Sequence, residues 1–204
     1  MTRVPAPEIE IVRARQSDAS LFAHLINDAV CELGFARYLE PDEDFRTLVL
    51  PQYFKCLVED AFVHGTVLTT PGREAVAVWM PHTGARRLPD PDPRYAAFLP
   101  DDKAQRLHAF DRQMASDRLD AAHHYMAILA VDRAFRHCGF GSTILDHHLE
   151  FLDRSGQSAC THATGEELVH HLRRRGFEPD GGITFPDGTQ MARMVRGPRP
   201  PTLL

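Results

Sequence analysis

Apolar positions along the chain switch between a period of two and a helical period, and the switches mark out the elements. Glu8 to Arg15 alternates, with Ile9 and Ile11 set against Glu10 and Val12, and predicts a first strand. Ser17-Asp18 predicts a cap for a helix through about Leu33. Its Leu21, Phe22, Leu25, Ile26, Val30 and Leu33 recur at helical spacing, and Gly34 is expected to end it. Asp42 to Phe62 predicts a second helical region, interrupted near Pro51. Gly65–Thr70 and Glu74–Met80 predict a hairpin closed by Thr70-Pro71-Gly72-Arg73. Prolines 81, 89, 91 and 93 then form a linker. Arg94 to Leu119 turns helical, with Leu107, Phe110 and Met114 on one face.

A strand from about His124 runs into a glycine loop. A helix follows from Gly141 to Arg154, striped by Leu145, Leu149 and Leu152 and closed by Gly156. Ser158 to His162 is strand-like. Thr164-Gly165-Glu166-Glu167 reads as a capping box opening a helix whose Leu168 and Leu172 face the core, with Gly176 at its end. Ile183–Phe185, the turn Pro186-Asp187-Gly188 and Thr189–Val195 predict a last hairpin. Residues 1–7 are expected to be loose and 197–204 disordered; the chain has no internal repeats.

The chain is organised around residues 127–151, AILAVDRAFRHCGFGSTILDHHLEF. A strand, a turn carrying Arg136, Gly139 and Gly141, and an immediate helix make a cradle for an anionic group. Glycines let the backbone approach, and the first helical amides and the helix dipole face the ligand. No Gly-Lys-Ser or Gly-Lys-Thr closes a Walker loop. The single Gly139-Phe140-Gly141, with Asp146 where a third glycine would sit, is not a dinucleotide fingerprint. On spacing alone, a tight turn before a helix remains the alternative.

Arg136-His137-Cys138-Gly139-Phe140-Gly141, preceded by Leu129-Ala130-Val131, resembles the pyrophosphate loop and its strand in the GNAT acetyltransferase superfamily. LAVDRAFRHCGFG is similar to the same segment of the arylalkylamine N-acetyltransferases. AVAVW (residues 75–79), Gly176-Phe177 and the MARMVR ending resemble the puromycin N-acetyltransferase branch. The resemblance spans roughly residues 64–196. It implies an α/β (α+β) GNAT fold, a mixed, mostly antiparallel sheet flanked by helices. The chain would then be one domain over 1–196, with a helical insertion at 83–122 over the acceptor side.

The resemblance further implies acetyl transfer from acetyl-CoA to an amine by direct attack. Acetyl-CoA would be held by Arg136, His137, Cys138, Gly139, Phe140, Gly141 and Ser142, mostly through backbone amides. A backbone amide among Leu129, Ala130 and Val131 would polarise the thioester. The expected acceptor is a small antibiotic-like or arylalkylamine-like molecule. The chain also departs from these relatives. Leu172 stands where they carry a tyrosine acid, Gly165 where many carry an asparagine, and Tyr125 and Ala127 where the arylalkylamine enzymes carry histidines.

Proton transfer therefore falls to other side chains, and Tyr125 and His162 are the catalytic candidates. Tyr125 is expected on the same strand face as Ala127 and Leu129, and His124 on the opposite one. His162 ends the strand beside the glycine strand. His170 and His171 lie on the helix that lacks the tyrosine. Cys138 reads as incidental, since the loop acts through its backbone. The phenylalanines and tyrosine at 45, 53, 54 and 62 could line an acceptor site but fit a core better.

Composition narrows the partners. A net charge of −5 with no basic block argues against nucleic acid, and Arg173-Arg174-Arg175 reads as the complement of a helix C-terminus. Four scattered cysteines indicate a reducing compartment, without a disulfide framework or a zinc site. Of the twelve histidines, the adjacent pairs His123-His124, His147-His148 and His170-His171 have no HExxH spacing, and neighbours on a helix diverge, so no metal is expected. No signal peptide or long apolar run stands out, so a cytoplasmic protein without membrane contact is expected, monomeric or homodimeric. A protein or peptide N-acetyltransferase, or a catalytically weak acyl-CoA-binding sensor, are the alternatives.

Overall fold

The computed structural model describes residues 9–84 and 88–199. The expectation of a loose segment at 1–7 lies outside them, as does that of disorder over 200–204. Among the described residues, seven strands form one sheet in the order β1-β2-β3-β4-β5-β7-β6. They are β1 (Val12–Arg13), β2 (Thr66–Thr69), β3 (Ala75–His82), β4 (His123–Val131), β5 (Ala159–Ala163), β6 (Glu178–Thr184) and β7 (Gln190–Arg196). Only β4 and β5 pair in parallel; every other neighbour is antiparallel. The mixed, mostly antiparallel sheet that the resemblance implied is present.

Helices cover both faces, so each strand face has a core to fill. On one side lie α1 (Ala19–Val30), α2 (Gly34–Leu39), α3 (Glu43–His64) and α4 (Asp101–Ser116). Their Phe22, Ile26, Phe54 and Leu107 share a core with Val76, Val78 and Tyr125 of the sheet. On the other side lie α5 (Phe140–Arg154) and α6 (Glu166–Arg173). Ile144, Leu145, Leu149, Leu152 and Leu172 pack there against Trp79 and Met126. Fully burying one such side chain is worth about 1.5–3 kcal/mol, so the two layers together hold the sheet between them.

Several boundaries differ from the sequence reading. The first strand has only two residues, Val12 and Arg13, paired to Thr69 and Leu68. Asp18 does not cap α1 with its side chain; its carboxylate instead takes Arg73 at 3.2 Å, which ties the helix start to the β2–β3 turn. Gly34 opens α2 rather than ending α1. Pro51 does not interrupt α3, which runs unbroken for 22 residues behind an Asp42 cap that accepts from the Phe45 N–H at 2.8 Å. An interior proline costs about 3 kcal/mol. Burial of Val49, Leu50, Tyr53, Phe54 and Val58 on either side of it offsets that cost.

The helix expected over 94–119 is split at Pro100 into a 3-10 turn (Pro93–Ala97) and α4. The capping box at 164–167 is not formed: Gly165, at φ 76°, takes the N-cap position, and no side chain caps the helix. Beyond β7, Arg199 donates its N–H to Asp153 at 2.8 Å, so the chain at 197–199 is laid against α5.

Candidate active site

The parallel pair β4–β5 is short. Register partners exist only for His124, Tyr125 and Met126, opposite Ala159, Cys160 and Thr161. Both strands run on past that point without pairing, so the sheet splits into a V whose apex is tied by the Thr161 hydroxyl donating to the Met126 carbonyl at 2.8 Å. One extra residue, Ala127, sits in β4 where the register against β3 shifts between Val78 and Trp79.

That bulge decides which way the β4 amides point. Before it, His124 donates its N–H to Ser158 on the β5 side at 2.8 Å. After it, Asp132 donates to Glu74 on the β3 side at 2.8 Å. Strand alternation counted back from Asp132 turns Ala130 and Ile128 toward β3, and Val131 and Leu129 into the open V. Of the three strand residues expected to offer an amide, Leu129 and Val131 therefore face the gap and Ala130 does not. The bulge also moves a side chain: Tyr125 and Ala127 share one core, as expected, but Leu129 joins Met126 on the opposite face.

The glycine loop lies at the mouth of the same V. Gly139 is the N-cap of α5 at φ 93° and ψ −11°, and His137 also has positive φ, 62°. The nearest atom to an added Cβ at Gly139 is 3.8 Å away, so it is backbone conformation and not space that calls for glycine there. At Gly141 the reason is different: a Cβ would stand 3.1 Å from the Val131 side chain, so glycine lets α5 start hard against the end of β4. Arg136 to Gly139 are exposed. Arg136 reaches back to the Ala29 carbonyl at 3.4 Å, and the Cys138 thiol, in no disulfide, donates to the Arg136 carbonyl at 3.5 Å. The arrangement presents the first amides of a 15-residue helix to solvent, which suits an anion.

Tyr125 and His162, separate in the sequence, meet at the apex of the V. The Tyr125 hydroxyl lies 3.0 Å from His162 Nδ1, and His162 Nε2 lies 2.9 Å from Asp117 Oδ2. Arg193 donates to the other oxygen of Asp117 at 3.1 Å and to its backbone carbonyl at 2.8 Å. A carboxylate only accepts, so Nε2 carries the imidazole proton, Nδ1 is the acceptor, and Tyr125 donates to it. The His162 side chain is fully buried. Burial lowers its pKa below the ordinary histidine value against the opposing pull of Asp117, and burial raises that of Tyr125. The guanidinium of Arg118 lies 5.2 Å from the centre of the Tyr125 ring.

The other side chains singled out in the sequence lie elsewhere. His124 turns to the opposite face, where His148 stands 3.3 Å away. His170 lines a second cleft, of about 730 Å³, with Glu166, Arg173 and Gln190; neither Tyr125 nor His162 borders it. His171 contacts Arg175. Leu172 is wholly buried in the core under α5, so the position where the resemblance would place a tyrosine acid is filled by packing. Among the described residues, no three histidine, cysteine or acidic side chains are grouped to hold a metal, and no helix is long and apolar enough to cross a membrane.

Tyr125 and His162 open into a cavity of about 550 Å³ that also borders Ala127, Ile128 and Leu129. Its far wall comes from α3, the 3-10 turn and α4: Tyr53, Phe54, Tyr95, Phe110 and Asp111. Tyr53 and Phe54 are thus both core residues and cavity wall, whereas Phe45 and Phe62 only pack. Sequence reasoning missed Asp111, Asp117 and Arg193. No local signal marks them, since isolated polar residues in an insertion and on a terminal strand read as solvated.

Three solved structures similar to this one are described as acetyltransferases. A protein from Corynebacterium glutamicum, described as histone acetyltransferase HPA2 and related acetyltransferase, superposes with a TM-score of 0.71 at 23% identity, over 96% of this chain and 99% of that one. A mosquito arylalkylamine N-acetyltransferase like 5b superposes at 0.64 with 16% identity, over 93% and 100%. Arylalkylamine N-acetyltransferase 2 from Aedes aegypti superposes at 0.59 with 14% identity, over 94% and 100%. No protein-family model and no curated protein matches the sequence. The chain therefore has the GNAT acetyltransferase fold, along nearly its whole length.

Proposed function

We propose that this protein is an acetyl-CoA-dependent N-acetyltransferase acting on the amine of a small molecule by direct attack in a ternary complex. The observation that carries the reading is the hydrogen-bonded series Tyr125–His162–Asp117 at the apex of the splayed strands, beside the outward amides of Leu129 and Val131. The loop 136–142 supplies backbone N–H groups for the donor's pyrophosphate, and the Leu129 or Val131 amide supplies the hydrogen bond that stabilises the developing oxyanion.

The proton inventory closes on this chain's own side chains. As the amine nitrogen bonds to the carbonyl carbon and the carbon–sulfur bond breaks, Tyr125 takes the amine proton and passes its own to His162 Nδ1. Asp117 stabilises the imidazolium that results. The same series then returns the proton through Tyr125 to the departing thiolate and is restored. General acid–base transfer of this kind contributes about 10²–10⁴-fold.

The test is steady-state thiol release with acetyl-CoA and a panel of arylalkylamines. Tyr125→Phe and His162→Ala are expected to lower kcat by about 10²-fold or more, with the KM for acetyl-CoA unchanged. Full activity in both variants would overturn the proton route. Binding of acetyl-CoA with no turnover on any amine would instead leave an acyl-CoA-binding module.

A further inference from the structure

The cavity has a second polar cluster besides Tyr125 and His162. Asp111 projects from α4 into a wall of aromatic rings. Its Oδ1 accepts from the Tyr53 hydroxyl at 2.8 Å and its Oδ2 from the Tyr95 hydroxyl at 2.7 Å. The two tyrosine rings lie 5.8 Å apart, and Phe110 stands 6.5 Å from Tyr53. A carboxylate can accept about four hydrogen bonds, so two acceptor positions remain. Among the described residues no lysine or arginine pairs with Asp111, and burial raises its pKa.

The cationic side chains near Asp111 are Arg94, Arg118 and, acting on the carboxylate through space, His108. Arg94 is held by Asp92 at 2.6 Å and Asp60 at 2.8 Å, and Arg118 lies over the Tyr125 ring. A buried carboxylate with no lysine or arginine paired to it is costly, and a cationic ligand offsets that cost. Aromatic faces around it attract the same kind of group. The rest of the lining includes the apolar Phe35, Phe54, Met80, Met114 and Ile128, together with Asp60, Asp92 and Arg94, which pair with one another.

We propose that Asp111, Tyr53 and Tyr95 form a second part of the acceptor site and bind an organic ammonium, so that the acceptor is a diamine with an apolar spacer. One nitrogen is acetylated beside Tyr125, and the other stays protonated against Asp111. The proposal rests on the N-acetyltransferase reading for the fate of the first nitrogen, but the ammonium subsite itself requires no catalysis. Asp111 could instead serve only as a tie between α3, the 3-10 turn and α4, and the test separates these roles.

Calorimetric titration of the full chain with para-xylylenediamine, beside para-methylbenzylamine of nearly equal size and one cationic centre fewer, reads the subsite without turnover. The diamine is expected to bind roughly 30-fold more tightly than the monoamine, and Asp111→Asn to abolish the difference. Tyr95→Phe, which keeps the carboxylate, is expected to reduce it several-fold. Thermal melts followed by Trp79 fluorescence check that each variant is folded. Equal binding of the two amines to the wild type, or a preference that survives in folded Asp111→Asn, overturns the proposal. In acetyl transfer, the diamine KM is expected to rise in Asp111→Asn by a larger factor than the monoamine KM. A diamine preference in binding without any transfer would fail the enzymatic reading while upholding the subsite.

Discussion

Single residues carry opposite constraints within a few positions of each other. Gly139 needs glycine for its dihedral angles, and Gly141 needs it for the 3.1 Å approach to Val131. Alanine fits the space at 139 but not the conformation, since a left-handed residue with a Cβ costs about 1–2 kcal/mol. Gly139→Ala is therefore expected to lower stability by about 1 kcal/mol and to weaken acetyl-CoA binding several-fold as the first amides of α5 lose their alignment. Denaturant melts and calorimetric titration of acetyl-CoA measure the two effects. A stability change with unaltered affinity would show that this loop does not hold the pyrophosphate. The glycine pair and its arginine were legible in the sequence because the signal is local. Asp117 was not, because nothing within a few residues of it reveals that it faces His162.

At the level of elements, α5 is tied to the sheet by a histidine that cannot readily charge. His148 is buried, stacks on Trp79 with ring centroids 4.3 Å apart, and meets His124 at 3.3 Å. Burial, reinforced by the neighbouring histidines, lowers its pKa to about 3. The folded state thus keeps this imidazole neutral, whereas the unfolded chain protonates it near the ordinary histidine value. Between those values the unfolded state binds more protons, so stability rises with pH. Its contribution is complete above the unfolded pKa and is lost as pH falls toward the folded one. From pH 7 to pH 4 the loss is expected to be about 3 kcal/mol. His148→Phe is expected to flatten that slope. Denaturant melts across pH, read by Trp79, the only tryptophan, measure it.

The helix and strand positions of α5, β3 and β4 were readable from periodicity. The bulge at Ala127 was not, because a bulge is a property of the pairing between β4 and β3 and leaves the apolar pattern of either strand unchanged. Its effect on the candidate site is large: it selects which β4 amides face the V and moves Leu129 to the other face. The same limit explains Pro51 and Gly34. Proline and glycine are breakers on local propensity, yet one lies inside a helix and the other begins one, because packing against the sheet outweighs about 1–3 kcal/mol of local preference.

Over the whole molecule, the proposed proton route is assembled from parts far apart in the chain. Tyr125 comes from β4, His162 from β5, Asp117 from the insertion and Arg193 from β7. Docking of the insertion against the sheet therefore completes the site. Asp117→Asn keeps a hydrogen-bond acceptor for His162 Nε2 and removes the charge. Asp117 raises the His162 pKa against the lowering by burial, so its neutralisation moves that pKa further down. The base must be unprotonated to act, and the acid limb of kcat/KM is expected to shift to lower pH, while kcat falls by about 10–100-fold. A purely structural Asp117 would lower activity without moving the limb.

The sequence by itself determined most of the strands and helices in their order (though not α2), the glycine loop at a helix start, and the resemblance that implied a mixed sheet. Each of these is written in spacing over a few residues, where backbone preference and apolar period act directly. Only the tertiary structure decided the depth of the V, the direction of the Leu129 and Val131 amides, the meeting of Tyr125 with His162, and the placing of Asp111 and Asp117. Those depend on register between strands and on how an insertion packs across a sheet, and no local pattern encodes contacts between residues dozens of positions apart.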